Sequence, residues 1–325
     1  MAKANALELL QKEISGMAEL NVPMRERTTM RTGGNADILI APVDREDLAK
    51  VVKFLAEREI GYFVLGGGSG IIVRDGGIRG AVIALKESFD GIEAVDDEAG
   101  GTTVRAEAGV MLGALVKWAA SSGISGFESL AGIPGTLGGA LYKNSGGWGE
   151  SIGQRVEQLE IMDSNAEIHT LLKRDFSFGY RTSNLPTGTI ILSASFAGKR
   201  AKPDEVMDVT EEWLDKRMMT QPFEAASVGM VFKNPEVGLS AGELIDRCGL
   251  KGIRVGDAEV SCDHANYITN IGEATASQLI ALIGMVQERV YVKHKVRLSL
   301  KVGLVGSSMG ERLRIRKQGD INGPK

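Results

Sequence analysis

The chain has 325 residues, of which 43% are hydrophobic and 25% are charged, and its formal net charge is −4. This composition is ordinary for a globular protein of two or three compact units, and the acidic balance gives no reason to expect nucleic acid or an anionic membrane as a partner. No apolar run reaches the roughly 18–20 residues of a membrane-spanning helix, and the N-terminus lacks the apolar core of a secretory signal, so we expect a cytoplasmic protein.

The first part of the chain predicts a small α/β unit. Apolar residues at helical spacing predict an N-terminal helix over residues 4–20, and Asp44 is a plausible N-cap of a second helix that ends near Arg58. Runs of β-branched and apolar residues predict the strands, which lie at 36–41, 62–65, 71–73 and 80–85.

A cluster of glycines directly follows the strand at 62–65, which is half of a dinucleotide-binding fingerprint. The residues after it, Ile71-Ile72-Val73, are β-branched and predict a strand instead of a helix. A Rossmann site is therefore disfavoured, since its pyrophosphate needs a helix N-terminus. No Gly-Lys-Ser/Thr follows any glycine cluster, which excludes a P-loop.

The stretch Ser129–Gly149 contains seven glycines in twenty-one residues. Apolar residues such as Ile133 and Leu137 distinguish it from a flexible linker. Bare backbone N–H groups in such turns form concave anion sites, while an irregular loop with several left-handed turns is the alternative. Predicted elements surround this stretch: strands near 92–95 and 102–106, a helix at 112–120, and strands near 156–162, 166–171 and 189–196.

A basic, proline-containing junction at 198–203 predicts a domain boundary. After it we predict a helix from Asp204 to about Met219 and a third unit that is also α/β. Its predicted elements are a strand at 231–233, a helix at 240–248, strands near 258–261 and 266–270, a helix at 275–293 and a strand at 296–305. The tail after Gly306 has no apolar periodicity and is predicted to be flexible. Two cysteines in unrelated contexts and three scattered histidines predict no metal site.

Eight blocks in unbroken order resemble the UDP-N-acetylenolpyruvoylglucosamine reductases, also called UDP-N-acetylmuramate dehydrogenases. They cover about residues 22–306 without inserts, which is similar to the compact subtype of the family. The blocks are Thr28–Gly34, Leu65–Ser69, Ser129–Ala140, Phe178–Ser183, Phe232–Pro235, Ala241–Ile245, Gly249–Gly252 and His264–Tyr267.

The resemblance implies an α+β / α/β flavoprotein with the two-unit FAD-binding fold of the vanillyl-alcohol-oxidase (PCMH) type and a C-terminal α/β substrate domain. NADPH would reduce the FAD, and the hydride would then pass to the enolpyruvyl group of UDP-N-acetylglucosamine-enolpyruvate, giving UDP-N-acetylmuramate for peptidoglycan. The implied division is an N-terminal helix (1–21), two FAD-binding units (22–88 and 89–199), a substrate-binding domain (200–306) and a flexible tail (307–325).

The resemblance also assigns residues to ligands. It assigns FAD to three glycine-rich segments: Thr32, Gly33, Gly66, Gly67, Gly68, Ser69, Gly70, Ala131, Gly132, Ile133, Pro134, Gly135, Thr136, Gly138, Gly139 and Ala140. Gly70 departs from the family, which prefers Asn after the serine. The UDP-sugar is assigned to Tyr180, Lys233, Asn234, His264 and Asn266.

Reduction of the alkene needs a cation or donor for the substrate carboxylate and an acid for the carbanionic carbon. The family uses an Arg, a Glu near the C-terminus, and a Ser or Cys as proton donor. The Arg is present as Arg181. Met230 stands at the serine position and has no proton to give, and Lys301 stands at the glutamate position.

Two hypotheses follow from these departures. In the first, the chain is a reductase in which Lys301 or an ordered water protonates the intermediate. In the second, it is an FAD-binding paralogue that has lost this turnover and acts as a non-catalytic or differently reactive flavoprotein. FAD binding is common to both.

Overall fold

The computed structural model describes residues 2–96, 101–186 and 188–308, with side chains from Leu7 onwards. In this part of the chain, the helices are all too short or too polar to cross a membrane. Three α/β or β-rich units follow one another along the chain.

The first unit is a four-stranded sheet with two helices. Its strand order is β1-β2-β5-β3, with β1 antiparallel to β2 and the other neighbours parallel. The side chain of Asp44 accepts a hydrogen bond from the backbone of Asp47, which confirms the predicted N-cap. The elements are α1 (Ala2–Glu13), β1 (Met17–Pro23), β2 (Asn35–Ala41), α2 (Arg45–Glu57), β3 (Tyr62–Leu65), β4 (Ile71–Val73) and β5 (Ile78–Ala84).

The N-terminal helix is shorter than predicted: it ends at Glu13, and strand β1 occupies the last four residues of the predicted range. The chain turns at Ser15 and Gly16, whose backbone N–H groups donate to the Asp47 carboxylate at 2.7 and 2.9 Å. Strand β1 then pairs with β2, and the apolar residues that suggested a helix, Met17 and Leu20, are exposed. Residues 1–21 are therefore not a separate helical element.

The second unit is built on an antiparallel sheet in the order β12-β11-β15-β7-β6, with β8 also paired to β15. The predicted strands and helix of this region are present with shifts of a few residues. The elements are β6 (Ile92–Asp96), β7 (Thr102–Glu107), α3 (Leu112–Ser121), β8 (Ile124–Ser125), α4 (Leu137–Tyr142), β9 (Gly146–Gly147), β10 (Glu150–Ser151), β11 (Val156–Met162), β12 (Ile168–Leu172), β13 (Phe178–Gly179), β14 (Thr182–Ser183), β15 (Ile190–Arg200) and α5 (Pro203–Thr220).

The basic junction at 198–203 does not separate two packed units. Strand β15 continues to Arg200, where the guanidinium pairs with Asp96 at 2.8 Å. Helix α5 begins at Pro203, one residue before the predicted cap Asp204, and packs against α3 and the 3-10 turn at Glu128–Leu130. Packing therefore groups α5 with the second unit and moves the boundary to about residue 220.

The third unit packs two helices against a four-stranded antiparallel sheet, β16-β19-β18-β17. The strand predicted at 231–233 lies a few residues earlier, and only the last three residues of the strand predicted at 296–305 form a strand. The elements are β16 (Ala226–Met230), α6 (Ala241–Arg247), β17 (Arg254–Val255), β18 (Ala258–Val260), β19 (Tyr267–Asn270), α7 (Ala276–His294) and β20 (Gly303–Val305).

The third unit is fastened to the first at several points. Strand β20 pairs in parallel with β4, and the hydroxyl of Thr29 donates to the carbonyl of Ser227 at 2.5 Å. The Asp75 carboxylate accepts the backbone N–H groups of Ala276 and Ser277 at the start of α7, at 2.8 and 2.9 Å.

The first two residues of the predicted tail, Ser307 and Ser308, belong to the described part of the chain. Ser307 is 4% exposed, and its backbone exchanges hydrogen bonds with Gly76 and Gly77. Residues 307 and 308 are thus part of the fold, and the rest of the predicted tail lies outside the described residues.

Candidate active site

The glycine cluster at 66–70 lies in direct contact with the glycine-rich segment at 132–139, although the two are about 65 residues apart in the sequence. The Ser69 hydroxyl donates to the carbonyl of Pro134 at 3.0 Å. A Cβ built on Gly67 would lie 2.6 Å from the Cα of Gly135, and one built on Gly66 would clash with the hydroxyl of Thr136. The bare backbones are therefore required for this approach, whatever ligand binds beside them.

The first segment assigned to FAD, at Thr32 and Gly33, lies beside the same cluster. The backbone N–H of Thr29 donates to the carbonyl of Gly68 at 3.2 Å, and the Thr28 hydroxyl donates to the carbonyl of Thr32 at 3.3 Å. The structure thus brings together the segments around residues 32, 66–70 and 134–136.

Two buried hydroxyl groups in these segments, Thr32 Oγ1 and Thr136 Oγ1, find no hydrogen-bond partner among the residues that the structure describes. Buried polar atoms almost always have a hydrogen-bond partner. Two hydroxyl groups without one, in the cradle formed by the segments around residues 32, 66–70 and 134–136, therefore indicate a polar ligand. A cofactor with a pyrophosphate supplies the missing acceptors, and the residues present therefore fit FAD.

Part of the glycine-rich stretch is helical, which the sequence did not predict. Helix α4 begins after Thr136, and the N–H groups of Leu137 and Gly138 donate to the carbonyls of Val110 and Ala108 at 2.8 and 2.9 Å. Those two N–H groups are therefore not available to an anion. Gly138 packs against Ala108, and Ala140 is buried in the core. Gly138 and Ala140 therefore contribute to packing, and their assignment to FAD stays a prediction.

Arg181 projects from the turn between β13 and β14. Its Nη1 donates to the carbonyl of Asn144 at 3.0 Å and its Nη2 donates to the carbonyl of Gly146, while its buried Nε has no partner within the described part of the chain. The residue adopts φ +57°, a left-handed conformation that is costly for a side chain of this kind. The guanidinium is thus fixed in place and keeps a donor for a ligand.

Lys301 lies next to the segment that carries Met230. Its backbone N–H donates to the carbonyl of Val231 at 2.8 Å, and the neighbouring Leu300 bridges to Phe232. The family positions for the glutamate and the serine are therefore neighbours in space. Burial of the ammonium, together with the charges of Arg181 and Arg217, lowers the pKa of Lys301 to about 7.

Arg217, on α5, is a site residue that the sequence analysis missed. It is 6% exposed, its Nε donates to the carbonyl of Ala131 at 2.8 Å, and its Nη2 donates to that of Ser129 at 3.3 Å. Gly132 adopts φ +71° beside it, and a Cβ there would lie 2.8 Å from Arg217 Cδ. No motif in its helix marks it, because its partners are carbonyl groups far away in sequence.

The cations of this site lack carboxylate partners. Within the described ranges, Arg181, Arg217 and Lys301 form no ion pair with Asp or Glu. The guanidinium of Arg217 instead stacks on Trp148, 4.9 Å from the ring centroid. A concentration of buried positive charge without counter-charge favours an anionic ligand.

Two of the residues assigned to the UDP-sugar, Tyr180 and Asn234, lie side by side near Arg181. The backbone N–H of Asn234 donates to the Tyr180 hydroxyl at 3.3 Å, and Tyr180 is exposed. The Asn234 side chain accepts the N–H of Ala241 at the start of α6 at 3.1 Å. Burial lowers the pKa of Lys143, and the positive charge of nearby Lys233 lowers it further.

Asn266, which is also assigned to the UDP-sugar, has a structural role. It is 2% exposed, its Oδ1 accepts the N–H of Phe232 at 2.9 Å, and its Nδ2 donates to the carbonyl of Phe232 at 3.0 Å. Both ends of the amide are thus used to fix the Phe232–Asn234 segment. Asn266 thus acts as a positioning residue for this segment, and its assignment to the UDP-sugar stays a prediction.

His264 lies next to Asn266, which holds the Phe232–Asn234 segment. Its Nδ1 accepts the backbone N–H of Asn266 at 3.1 Å, and its ring meets Tyr267 edge-to-face at 5.1 Å. Burial lowers the pKa of His264, and the charges of Lys251 and Lys301 lower it further. Its imidazole is therefore favoured in the neutral form.

The comparisons with known proteins match both halves of this arrangement. Residues 36–172 match a family described as FAD binding domain, and residues 221–305 match one described as UDP-N-acetylenolpyruvoylglucosamine reductase, C-terminal domain. Over 298 residues the chain is 39% identical to the UDP-N-acetylenolpyruvoylglucosamine reductase of Desulforamulus reducens, which covers 91% of this chain and 96% of that protein. The chain belongs to the UDP-N-acetylenolpyruvoylglucosamine reductase family.

A second relative and a solved structure agree with this membership. The UDP-N-acetylenolpyruvoylglucosamine reductase of Carboxydothermus hydrogenoformans is 39% identical over 307 residues, covering 94% of this chain and 100% of that protein. The crystal structure of the reductase from Thermus caldophilus has a TM-score of 0.75 and 34% identity, covering 90% of this chain and 99% of that chain. The predicted family, cofactor class and fold class are thereby confirmed.

Proposed function

We propose that the chain catalyses the FAD-dependent reduction of UDP-N-acetylglucosamine-enolpyruvate to UDP-N-acetylmuramate, with NADPH as reductant, in the synthesis of peptidoglycan precursors. NADPH and nucleotide sugars are cytoplasmic metabolites, so the proposed location is the cytoplasm. The observation that carries the proposal is the group of uncompensated cations, Arg181, Arg217 and Lys301, in the region where the family places its catalytic residues.

The substrate is a polyanion whose reacting alkene bears a carboxylate. When bound, FAD supplies the hydride for this alkene, and negative charge then develops on the second carbon and on the carboxylate. Arg181 is fixed by two carbonyl groups before substrate arrives, so its guanidinium can stabilise that charge without being reoriented. We assign Arg181 and Lys301 to the substrate carboxylate.

Met230 is the observation that favours the alternative, a paralogue without turnover, because a thioether cannot donate a proton. The distinguishing experiment reduces the purified, FAD-loaded protein with NADPH under anaerobic conditions, and then adds the enolpyruvyl substrate. Reoxidation of the flavin within seconds, with UDP-N-acetylmuramate as product, supports the reductase. A flavin that stays reduced while substrate binding is confirmed by calorimetry contradicts it and supports the paralogue.

A matched variant makes this result interpretable. Met230→Ser combined with Lys301→Glu restores both family residues. If the wild type is inactive and the double variant reoxidises quickly, then these two positions alone account for the loss. If both are inactive, then the reductase assignment fails for the pocket as a whole.

A further inference from the structure

Asn144 is a buried residue in the turn between α4 and β9, and it contacts three separate segments of the second unit. Its Nδ2 donates to the carbonyl of Gly179 at 2.9 Å, and its Oδ1 accepts the backbone N–H of Gly153 at 3.0 Å. Its own backbone carbonyl accepts the Nη1 of Arg181 at 3.0 Å. The side chain and the main chain of one residue are therefore both occupied in fixing its neighbours.

Two of these contacts hold the hairpin formed by β13 and β14. Gly179 belongs to β13 and Arg181 to the turn that follows, so Asn144 binds the strand through its side chain and the guanidinium through its carbonyl. The second anchor of Arg181, the carbonyl of Gly146, lies two residues further along the same segment. Fixing a long side chain costs conformational entropy, which these contacts offset before a ligand arrives.

The backbone conformation of Asn144 suits this position. It adopts φ +44°, a left-handed conformation that asparagine and glycine tolerate better than other residues. The N–H groups of Asn144 and Ser145 donate to the carbonyls of Leu141 and Ala140 in α4, at 3.1 and 2.8 Å. Glycine at position 144 would keep this backbone and remove both side-chain bonds, so a substitution can separate the two contributions.

Helix α4 connects Asn144 to the cofactor cradle. It has six residues and starts directly after Thr136, whose hydroxyl lies against Gly66. The backbone N–H of Ala140 donates to the carbonyl of Thr136 at 2.9 Å. One short helix thus separates the cradle from the turn that holds Arg181. Because a reacting group must be placed to within about 1 Å for full rate, this connection sets where a ligand bound to Arg181 lies relative to the cradle.

We propose that Asn144 is a positioning residue for Arg181. Its side chain fixes the hairpin and its carbonyl fixes the guanidinium, so that the substrate carboxylate is held at a set place relative to the FAD cradle. This inference rests on the proposed function, in which Arg181 binds that carboxylate. In this role Asn144 acts through Arg181 and needs no contact with the substrate.

Asn144→Gly is the main variant, because it keeps the left-handed backbone and the carbonyl. We expect the rate of flavin reoxidation at saturating substrate to fall about 10–10²-fold, the effect of a small displacement of a substrate-binding group. Asn144→Asp keeps the acceptor for Gly153 and loses the donor to Gly179, and we expect its rate to fall as well. FAD content and thermal melting verify that both variants fold.

Asn184→Gly is the matched control in the same hairpin region. The side chain of Asn184 accepts the backbone N–H of Ser177 at 2.6 Å, and Asn184 is not an anchor of Arg181. The control therefore also loses an asparagine side-chain bond. We expect its reoxidation rate to stay within about threefold of the wild type, whatever it loses in stability.

A binding experiment tests the role without turnover. UDP-N-acetylmuramate carries the carboxylate, and UDP-N-acetylglucosamine shares the nucleotide and the sugar but lacks it. Calorimetry on the FAD-loaded protein measures both affinities. We expect the wild type to prefer the carboxylate ligand at least about tenfold, the value of a hydrogen bond to a charged group, and Arg181→Met to lose this preference. Asn144→Gly should lose most of it and keep its affinity for UDP-N-acetylglucosamine within about threefold, whereas a merely structural residue would weaken both ligands equally.

A double variant tests whether the effect passes through Arg181. If it does, Asn144→Gly changes the rate and the carboxylate preference of Arg181→Met protein by less than about twofold, because residues that act as one unit are not additive. If Asn144→Gly is equally damaging with and without Arg181, the positioning role is wrong.

The remaining outcomes separate this role from the proposed function. A wild type that neither reoxidises nor prefers the carboxylate ligand overturns both. A wild type that reoxidises, while folded Asn144→Gly and Asn144→Asp keep its rate and preference, leaves the proposed function standing and overturns the role of Asn144. A carboxylate preference that Asn144→Gly abolishes, in a protein whose flavin stays reduced, contradicts the proposed function and supports the positioning of Arg181.

Discussion

The hydroxyl of Ser69 donates a hydrogen bond of 3.0 Å to the carbonyl of Pro134, and this bond joins the first unit to the second. Around this bond the two backbones approach so closely that side chains are excluded on both sides. The cradle therefore forms at the interface of the first and second units, and both glycine clusters are needed to build it.

Gly67→Ala tests this cradle. Its Cβ would lie 2.6 Å from Gly135 Cα, which is backbone and cannot move aside cheaply. We expect a loss of about 1–3 kcal/mol in stability and at least tenfold weaker FAD binding, measured by flavin fluorescence. Gly113→Ala, on α3 and outside the segments assigned to FAD, is the matched control, since a Cβ there meets nothing within 4 Å. Equal losses in both variants would contradict the close-approach explanation.

Replacing Gly70 by Asn restores the residue that the family prefers. Position 70 has open space for a side chain, so we expect the variant to fold as well as the wild type. An added amide near the cradle should tighten FAD binding by a factor of about 2–10, the value of one hydrogen bond. Titration of the FAD-free protein with FAD measures it. A weaker or unchanged affinity would show that residue 70 does not face the cofactor.

Asn266→Ala should act on stability first. The variant leaves the backbone N–H and carbonyl of Phe232 unsatisfied in a buried place, which costs about 1–3 kcal/mol. Urea unfolding measures this loss. The control is Asn234→Ala, in which an exposed residue loses one bond to Ala241. If Asn266→Ala instead kept full stability and lost only substrate affinity, the original substrate assignment would be correct.

Lys301 should make the stability of the protein depend on pH. Its pKa falls from 10.5 to about 7 on folding, so between these values the unfolded chain binds more protons than the folded one. The free energy of unfolding therefore rises with pH across this window, by at most about 1.4 kcal/mol per pH unit. Below about pH 7 the penalty for the buried charge is complete.

Lys301→Met removes this contribution. Urea unfolding between pH 6.5 and 9.5 should show the variant gaining stability over the wild type at the acidic end, with the gain shrinking as pH rises. Lys199→Met, on an exposed part of β15, is the control and should show no such trend. A difference between wild type and Lys301→Met that is constant with pH would contradict the shifted pKa.

Sequence patterns predicted local elements well and non-local ones less well. Asp44 and the apolar stripe of α2 act within one helix, and both were predicted. Strand β1 was read as helix because Met17 and Leu20 fit a helical period, whereas its conformation is set by pairing with β2 and by the Asp47 carboxylate. Neither partner is visible in the local pattern.

The candidate site shows the same division. Arg181 and Lys301 were found because their motifs could be compared with a family. Arg217 was missed because its partners are carbonyls of Ala131 and Ser129, which no residue type reports. The structural role of Asn266 was also hidden, since an asparagine can bind a ligand or a neighbouring backbone equally well.

The parallel pairing of β20 with β4 bears on the design of chimaeras between this protein and a relative. The third unit follows a helix packed on the second unit and ends in a strand paired with the first. A chimaera with one crossover near residue 220 would pair β20 from one parent with β4 from the other. Val305 and Val73, which lie in one core cluster, would then come from different parents, so we expect a chimaera that transfers both strands together to be the more stable one.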